Sequence, residues 1–176
     1  MDDMGFIHIY CGNGKGKTTT GMGLCARAAG CGYKVLIYQF MKDNSTSERC
    51  VLSLSENITI LEGLPQEKFS FQMTEEEKAE RRAFYESQLE LVTQKARNEN
   101  YDVLFLDEAI YAVRAGLLRE ELLLAFLKDK PEHLEVILTG QGPSQALIHA
   151  ADYVSEIKKI KHPFDKGMPA RKGIER

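Results

Sequence analysis

The sequence predicts an α/β fold, a mostly parallel open sheet with helices on both faces. Three observations carry that expectation. Short β-rich runs alternate with longer helical stretches along the 176 residues, the order that builds βα units. Several of the short runs, Val103–Leu106 among them, are almost continuously apolar, as strands covered on both faces must be. The first run, Phe6–Tyr10, leads into Gly12-Asn13-Gly14-Lys15-Gly16-Lys17-Thr18-Thr19. That glycine-rich turn before a helix start is how a P-loop cradles phosphate, with inward backbone N–H groups and the partly positive helix N-terminus.

Taken in order, the strands are expected at Phe6–Tyr10, Lys34–Phe40, Ile58–Leu61, Val103–Leu106, Val136–Thr139 and Tyr153–Ile157. The first helix, Thr18–Ala29, should stop at Gly30, which frees the chain to leave the helix. Met41 to Ser55 is polar and carries Asn44-Ser45-Thr46-Ser47, so it reads as a loop. A long charged helix is expected from Glu75 to Asn98. Thr74 and Glu77 form a capping box at its start, and Ala83, Phe84, Leu91 and Ala96 are its expected buried stripe. Shorter helices are expected over Glu108–Ala115, Arg119–Asp129 and Ser144–Ala150. Residues 158–176 carry seven Lys/Arg against two acids, a surplus of five positive charges. The chain reads as one domain, with residues 1–157 forming the nucleotide-binding α/β unit and residues 158–176 a basic tail of the same domain.

Composition narrows the function. A hydrophobic fraction of 43% fits a soluble globular chain. A net charge of −3 argues against bulk nucleic-acid binding. No apolar run approaches membrane-spanning length, and Met1-Asp2-Asp3-Met4 lacks the positive start of a secretory signal. Cys11, Cys25, Cys31 and Cys50 form no C-x-x-C pair, so free thiols in a reducing cytoplasm are expected. The four histidines show no metal-ligand spacing, and His8, inside the first strand, reads as a hydrogen-bonded core residue.

The chemistry concentrates in two places. In the loop, Lys17 is expected on phosphate oxygens and the Thr18 hydroxyl in a magnesium shell. The common pattern, G-x-x-x-x-G-K-[ST], would require glycine at Cys11; from Gly12 only three residues precede Gly16. The loop is one residue short or differently wound, and a nucleotide could sit in an unusual register. The strand Val103-Leu104-Phe105-Leu106 ends in Asp107-Glu108. Asp107 is the expected magnesium carboxylate, with a helix N-cap as the alternative or additional role, and Glu108 either supports the metal ligands from behind or contacts substrate. No nucleophilic triad or acid/base carboxylate pair is evident, which points to a nucleophile supplied by a substrate or cofactor. Phe69-Ser70-Phe71 either caps the core or lines an apolar ligand surface.

The chain resembles the ATP:corrinoid adenosyltransferases of cobalamin biosynthesis and salvage. The short loop Gly12–Thr19 is similar to that family's variant, and Tyr38-Gln39-Phe40-Met41-Lys42 to its Q-F-x-K segment. Leu106-Asp107-Glu108 with Tyr111-Ala112 and Gly116-Leu117-Leu118, then Thr139-Gly140, Leu147-Ile148, Ala151-Asp152 and Val154-Ser155-Glu156, follow in the family's order. The tail Lys161-His162-Pro163-Phe164-Asp165-Lys166-Gly167 with Gly173-Ile174-Glu175 is the most specific part.

The resemblance implies a RecA-like P-loop fold and a cytoplasmic homodimer fed by a flavoprotein reductant. It implies transfer of the 5′-deoxyadenosyl group of ATP to the cobalt of a reduced cob(I)alamin or related corrinoid, with triphosphate released. ATP would lie on Gly12, Asn13, Gly14, Lys15, Gly16, Lys17, Thr18 and Thr19, in the reverse sense to ordinary NTPases. Lys17 and Glu108 would be catalytic, and Thr18 and Asp107 would hold Mg2+. Phe69, Phe71, His162 and Phe164 would bind the corrinoid, the two phenylalanines excluding the lower axial ligand so that cob(II)alamin is more easily reduced. The family often has tryptophan at the second aromatic position, arginine after Thr139-Gly140 and glutamine near the tail end. Here these are Phe71, Gln141 and Arg171. The alternatives are an ordinary P-loop ATPase or kinase, and a non-catalytic corrinoid- or nucleotide-binding regulator.

Overall fold

A computed structural model describes residues 5–66, 68 and 70–175. Its strands are β1 (Ile7–Cys11), β2 (Val35–Gln39), β3 (Ile58–Ile60), β4 (Val103–Asp107), β5 (Glu135–Thr139) and β6 (Tyr153–Glu156). Its helices are α1 (Lys17–Gly30), α2 (Glu48–Leu52), α3 (Glu75–Asn98), α4 (Ala109–Arg114), α5 (Glu120–Asp129) and α6 (Gln145–Ala150). The strands form one sheet in the order β3-β2-β4-β5-β1-β6, and every pair among the described residues is parallel. All strand C-termini therefore open on one edge, the edge where α/β sheets bind ligands.

Side-chain alternation divides the core. Ile9, Leu36, Tyr38, Leu104, Leu106, Val136 and Leu138 pack toward α3, α4, α5 and α6. Val35, Ile37, Val103, Phe105 and Ile137 pack toward Met22, Cys25 and Ala29 of α1. The interior strands β2 and β4 are buried at every position, which is why they read as nearly unbroken apolar runs.

All six strands and five of the helices fall where the sequence places them, with ends shifted by a residue or two. Three local expectations are corrected. The segment 41–55 is not all loop, because Glu48–Leu52 forms α2, a short turn of helix with no fully buried residue, whose Leu52 packs partly buried against the core. Helix α1 includes Gly30, and the left-handed φ of 97° that ends the turn belongs to Gly32. The capping box of Thr74 and Glu77 is present, but the buried stripe of α3 is Tyr85, Leu89, Val92 and Ala96, joined by Thr93. Ala83 is exposed and Leu91 is 49% exposed. Tyr85 sets that rotation: its ring meets Phe40 edge-on at 5.3 Å, and its hydroxyl accepts a bond from the Met41 N–H.

Candidate active site

The glycine loop joins β1 to α1 at the C-terminal edge of the sheet. Its shape is fixed by the segment that leaves β6. Gly14 N–H donates to the Ile157 carbonyl at 2.8 Å, Ile157 N–H to the Cys11 carbonyl, and Lys159 N–H to Asn13 Oδ1. Gly12 has a φ of 110°, and a Cβ there would stand 2.3 Å from the Ile157 carbonyl oxygen. No other residue fits that close approach. Gly16, the residue before α1, has a φ of 116° with open space where a Cβ would point, leaving the helix N-terminus accessible to an anion.

The lysines of the loop diverge. Lys17 Nζ donates to the Gly14 carbonyl at 2.9 Å, inside the loop. Lys15 reaches outward to Glu175 at 3.1 Å. Glu175 also accepts from the backbone and guanidinium of Arg171, and these hydrogen bonds hold its carboxyl far below the usual carboxylate range. Thr19 is exposed.

Asp107 is the centre of the site. It is fully buried, and its carboxylate accepts four side-chain hydrogen bonds. Thr18 Oγ1 (3.0 Å) and Thr139 Oγ1 (2.6 Å) donate to Oδ1; Gln39 Nε2 (3.0 Å) and Lys42 Nζ (2.6 Å) donate to Oδ2. Four strand or loop ends thus converge on one carboxylate: β4 itself, α1, β5 and the end of β2. These bonds supply the polar partners a buried charge requires. The N-cap reading of Asp107 is not met, since the residue before α4 is Glu108 and no side chain caps that helix.

Thr18 Oγ1 and the Asp107 carboxylate are hard oxygen donors side by side, the kind that magnesium takes. The Lys42 ammonium also sits on both, 2.8 Å from Thr18 Oγ1. The pair therefore already accommodates a cation, and the donor set fits Mg2+.

Glu108 adopts a left-handed backbone, φ 57°, uncommon for a residue with a long side chain. Its N–H donates to Thr139 Oγ1 at 2.8 Å, so one threonine fixes both acids. The Glu108 carboxyl is half-buried. Burial, then the Asp107 charge, pushes its pKa up, while Lys42 and Lys17 pull the other way.

The described corrinoid candidates, Phe71, His162 and Phe164, stand on turns outside this cluster. Phe69 lies outside the described residues. Phe71 stands on a single 3-10 turn, Ser70–Gln72, after β3 and is 78% exposed; it does not cap the core. A cavity of about 310 Å³ is lined by residues from the same stretch of chain and the start of α3, Leu64, Lys68, Met73, Glu77, Arg81 and Phe84 among them. His162 and Phe164 stand on a turn beyond β6, where His162 Nδ1 accepts the Phe164 N–H at 3.1 Å and Phe164 is 71% exposed. Since β3 and β6 are the two outer strands, the two aromatic turns leave from opposite sides of the sheet, with the phosphate loop and Asp107 between. Gln141 follows β5 in a loop where the Arg114 guanidinium lies against Gly142.

The model of the ATP:corrinoid adenosyltransferase family BtuR/CobO/CobP matches residues 3–176. The chain belongs to that family. It is 33% identical over 178 residues to the corrinoid adenosyltransferase CobA of Salmonella typhimurium, covering 99% of this chain and 87% of that protein. It is 31% identical over 176 residues to the corrinoid adenosyltransferase of Pseudomonas aeruginosa, covering 99% and 85%. Among solved structures, a KaiC-like protein of Pyrococcus horikoshii superposes with a TM-score of 0.54 at 15% identity, over 88% of this chain and 73% of that one. ATPase domains 2 and 3 of EssC from Geobacillus thermodenitrificans give 0.51 at 16%, over 96% and 35%. The fold is the RecA-like P-loop α/β fold.

Gln39, Lys42 and Thr139 are site residues that motif reading did not assign. Gln39 and Thr139 left one signal, a polar residue ending an apolar strand. Lys42 left none beyond its place in the Q-F-x-K segment.

Proposed function

We propose that this protein transfers the 5′-deoxyadenosyl group of ATP to the cobalt of a reduced corrinoid and releases triphosphate. The observation that carries the reading is the convergence of Lys17, Thr18, Asp107 and Glu108 on one sheet edge in a member of this family. The cob(I) lone pair forms the Co–C bond to C5′, and the C5′–O bond breaks with its electrons leaving on triphosphate. That leaving group must be held and neutralised. Lys17, the amides of residues 12–17 and the N-terminus of α1 supply fixed positive charge for it. Thr18 and Asp107 would hold magnesium, which when bound neutralises phosphate charge. Glu108, near Lys42 and Lys17, orients the cationic side of the site. Lys15 and Thr19, at the loop's outer rim, complete the ATP contacts.

Phe71, with Phe69, would lie against the lower face of the corrin, and His162 and Phe164 against its other side. The exposed rings of Phe71 and Phe164, on turns that follow the two outer strands of the sheet, support that placement. The bonds of Lys159 to Asn13 and of Glu175 to Lys15 support the reading of residues 158–176 as a tail of the nucleotide-binding domain, residues 1–157, that orders over the site. A flavoprotein reductant, a homodimer and a cytoplasmic setting complete the proposal. No helix among the described residues is long and apolar enough to cross a membrane.

The test is anaerobic incubation with Mg-ATP and chemically reduced cob(I)alamin. A light-sensitive alkylcobalamin spectrum with stoichiometric triphosphate is the expected result. Orthophosphate or ADP without spectral change would instead make the protein a P-loop ATPase or kinase, and binding without turnover a regulator.

A further inference from the structure

The two oxygens assigned to the divalent cation already share a cation of the protein's own. Lys42 Nζ is 2.8 Å from Thr18 Oγ1 and 2.6 Å from Asp107 Oδ2. Lys42 keeps 23% of its side chain exposed, whereas Asp107 keeps none. The ammonium therefore stands at the solvent side of the carboxylate, on the path a metal must take. Its placement is built. Met41, the residue before it, is held in the left-handed region at φ 56°, a conformation that costs a residue with a Cβ. The Met41 N–H is fixed there by the Tyr85 hydroxyl at 2.9 Å, and the Phe40 N–H by the Asp107 carbonyl at 2.9 Å. Gln39, clamped by Thr46 and Arg49, fills the other approach to Oδ2.

We propose that Lys42 is a cation exchanger for this site. Its ammonium competes with free divalent metal for Thr18 and Asp107 and yields to metal that arrives on a polyphosphate. The physical reason is charge. A divalent ion bound to these oxygens would lie beside the ammonium in a partly buried setting, where like charges repel strongly. Bare metal offers the displaced ammonium no new partner. A polyphosphate does, since its oxygens accept a lysine as a point charge. Lys42 then moves from Asp107 to the phosphate, so metal and polyphosphate bind as a unit and the leaving group gains one more positive contact. Lys42 thus selects the metal–polyphosphate complex over either component. The inference rests on the reading of Thr18 and Asp107 as metal ligands.

The test uses Mn2+ as the metal and inorganic tripolyphosphate as the anion, with no corrinoid. For the wild type, Lys42→Gln and Lys42→Arg, binding of Mn2+ alone is followed by the electron spin resonance signal of the free ion, and binding of the Mn2+–tripolyphosphate complex by equilibrium dialysis across a membrane that retains the protein. With Mn2+ alone, Lys42→Gln should bind at least about tenfold more tightly than the wild type, the scale of removing one close like charge. Lys42→Arg, which keeps the charge, should stay near the wild type. With tripolyphosphate present the order should reverse, the Gln variant binding the complex about tenfold more weakly. A role confined to holding the fold cannot produce tighter metal binding on loss of the lysine. Mn2+ binding by Lys42→Gln no tighter than by the wild type overturns the proposal while leaving the metal site standing. Failure of all three proteins to bind Mn2+ with tripolyphosphate removes the metal-site reading and this inference with it. A second measurement uses the wild type alone, so it survives a variant that fails to fold. The ammonium resonance of Lys42 should be unmoved by Mg2+ and shifted by Mg2+ with tripolyphosphate; a shift with Mg2+ alone overturns the proposal.

Discussion

The phosphate end and the aromatic flanks of this molecule are built on opposite principles. Around Asp107, four donors from three other segments converge on a carboxylate with no solvent exposure. Around Phe71 and Phe164, rings stand 78% and 71% exposed on single short turns. The first region is fixed by the fold, with buried polar groups each requiring the others. The second has almost no core beneath it. For a transfer reaction that division is reasonable: the leaving group needs preorganised charge, whereas a large corrin ring must enter and leave over surfaces that can adapt.

The largest effects should come from breaking the fixed region. Lys17→Ala should lower adenosyl transfer by about 10²–10³-fold or more, as when a fixed charge on a developing anion is lost, with the melting temperature little changed. Near-normal turnover in that variant would place the phosphates elsewhere. Asp107→Ala should destabilise the fold by about 3–5 kcal/mol, because Lys42 is left beside the site without its counter-charge and Thr139 and Gln39 lose an acceptor. The urea midpoint reads this directly, and an unchanged midpoint would mean that the cluster is not a structural unit.

The aromatic flank should respond in the opposite way. Phe71→Ala should leave the melting temperature unchanged and spare the reaction with chemically reduced cob(I)alamin. Its coupled reaction from cob(II)alamin should fall by about tenfold, the effect of roughly 1.4 kcal/mol. Equal losses in the two assays would remove the axial-ligand role and the contrast with it.

The smallest effect sharpens the comparison. Burial and Asp107 raise the Glu108 pKa in the folded protein. A raised carboxyl pKa means that folding favours the protonated form, so this group opposes stability once pH rises through its folded pKa and is neutral below its unfolded value. Glu108→Gln should therefore raise the melting temperature at neutral pH by about 1–3 °C while impairing transfer. The gain should vanish at pH values where Glu is protonated in both states. A variant less stable than the wild type at neutral pH would show that Lys42 and Lys17 outweigh the burial.

Much of this was legible before any coordinates. The six strands announce themselves because strands buried on both faces leave no room for polar residues. Gly12–Thr18 is legible because phosphate loops need glycine at a close approach and a lysine beside it. Helix α2 was not, since at five residues it is too short to show a helical period and only Leu52 packs, partly buried, against the core. The stripe of α3 was misread because Leu91 and Ala83 are apolar yet face outward, while Tyr85 faces in and uses its hydroxyl on Met41. Apolar type alone does not fix the rotation of a helix whose polar residues outnumber its buried ones.

The sequence by itself determined the fold class, the phosphate loop, the acid pair at the end of β4 and, through its motif order, the family. These depend on local rules: side-chain period, backbone freedom at glycine, and the identity of charged residues beside them. Only the tertiary structure decided that Ile157 shapes the loop, that Thr139 and Gln39 fix Asp107, and that Lys42 sits on Thr18 and Asp107. Those contacts join residues from 24 to 146 positions apart. They exist because parallel pairing brings the ends of distant strands to one edge, and no spacing along the chain records which ends will meet.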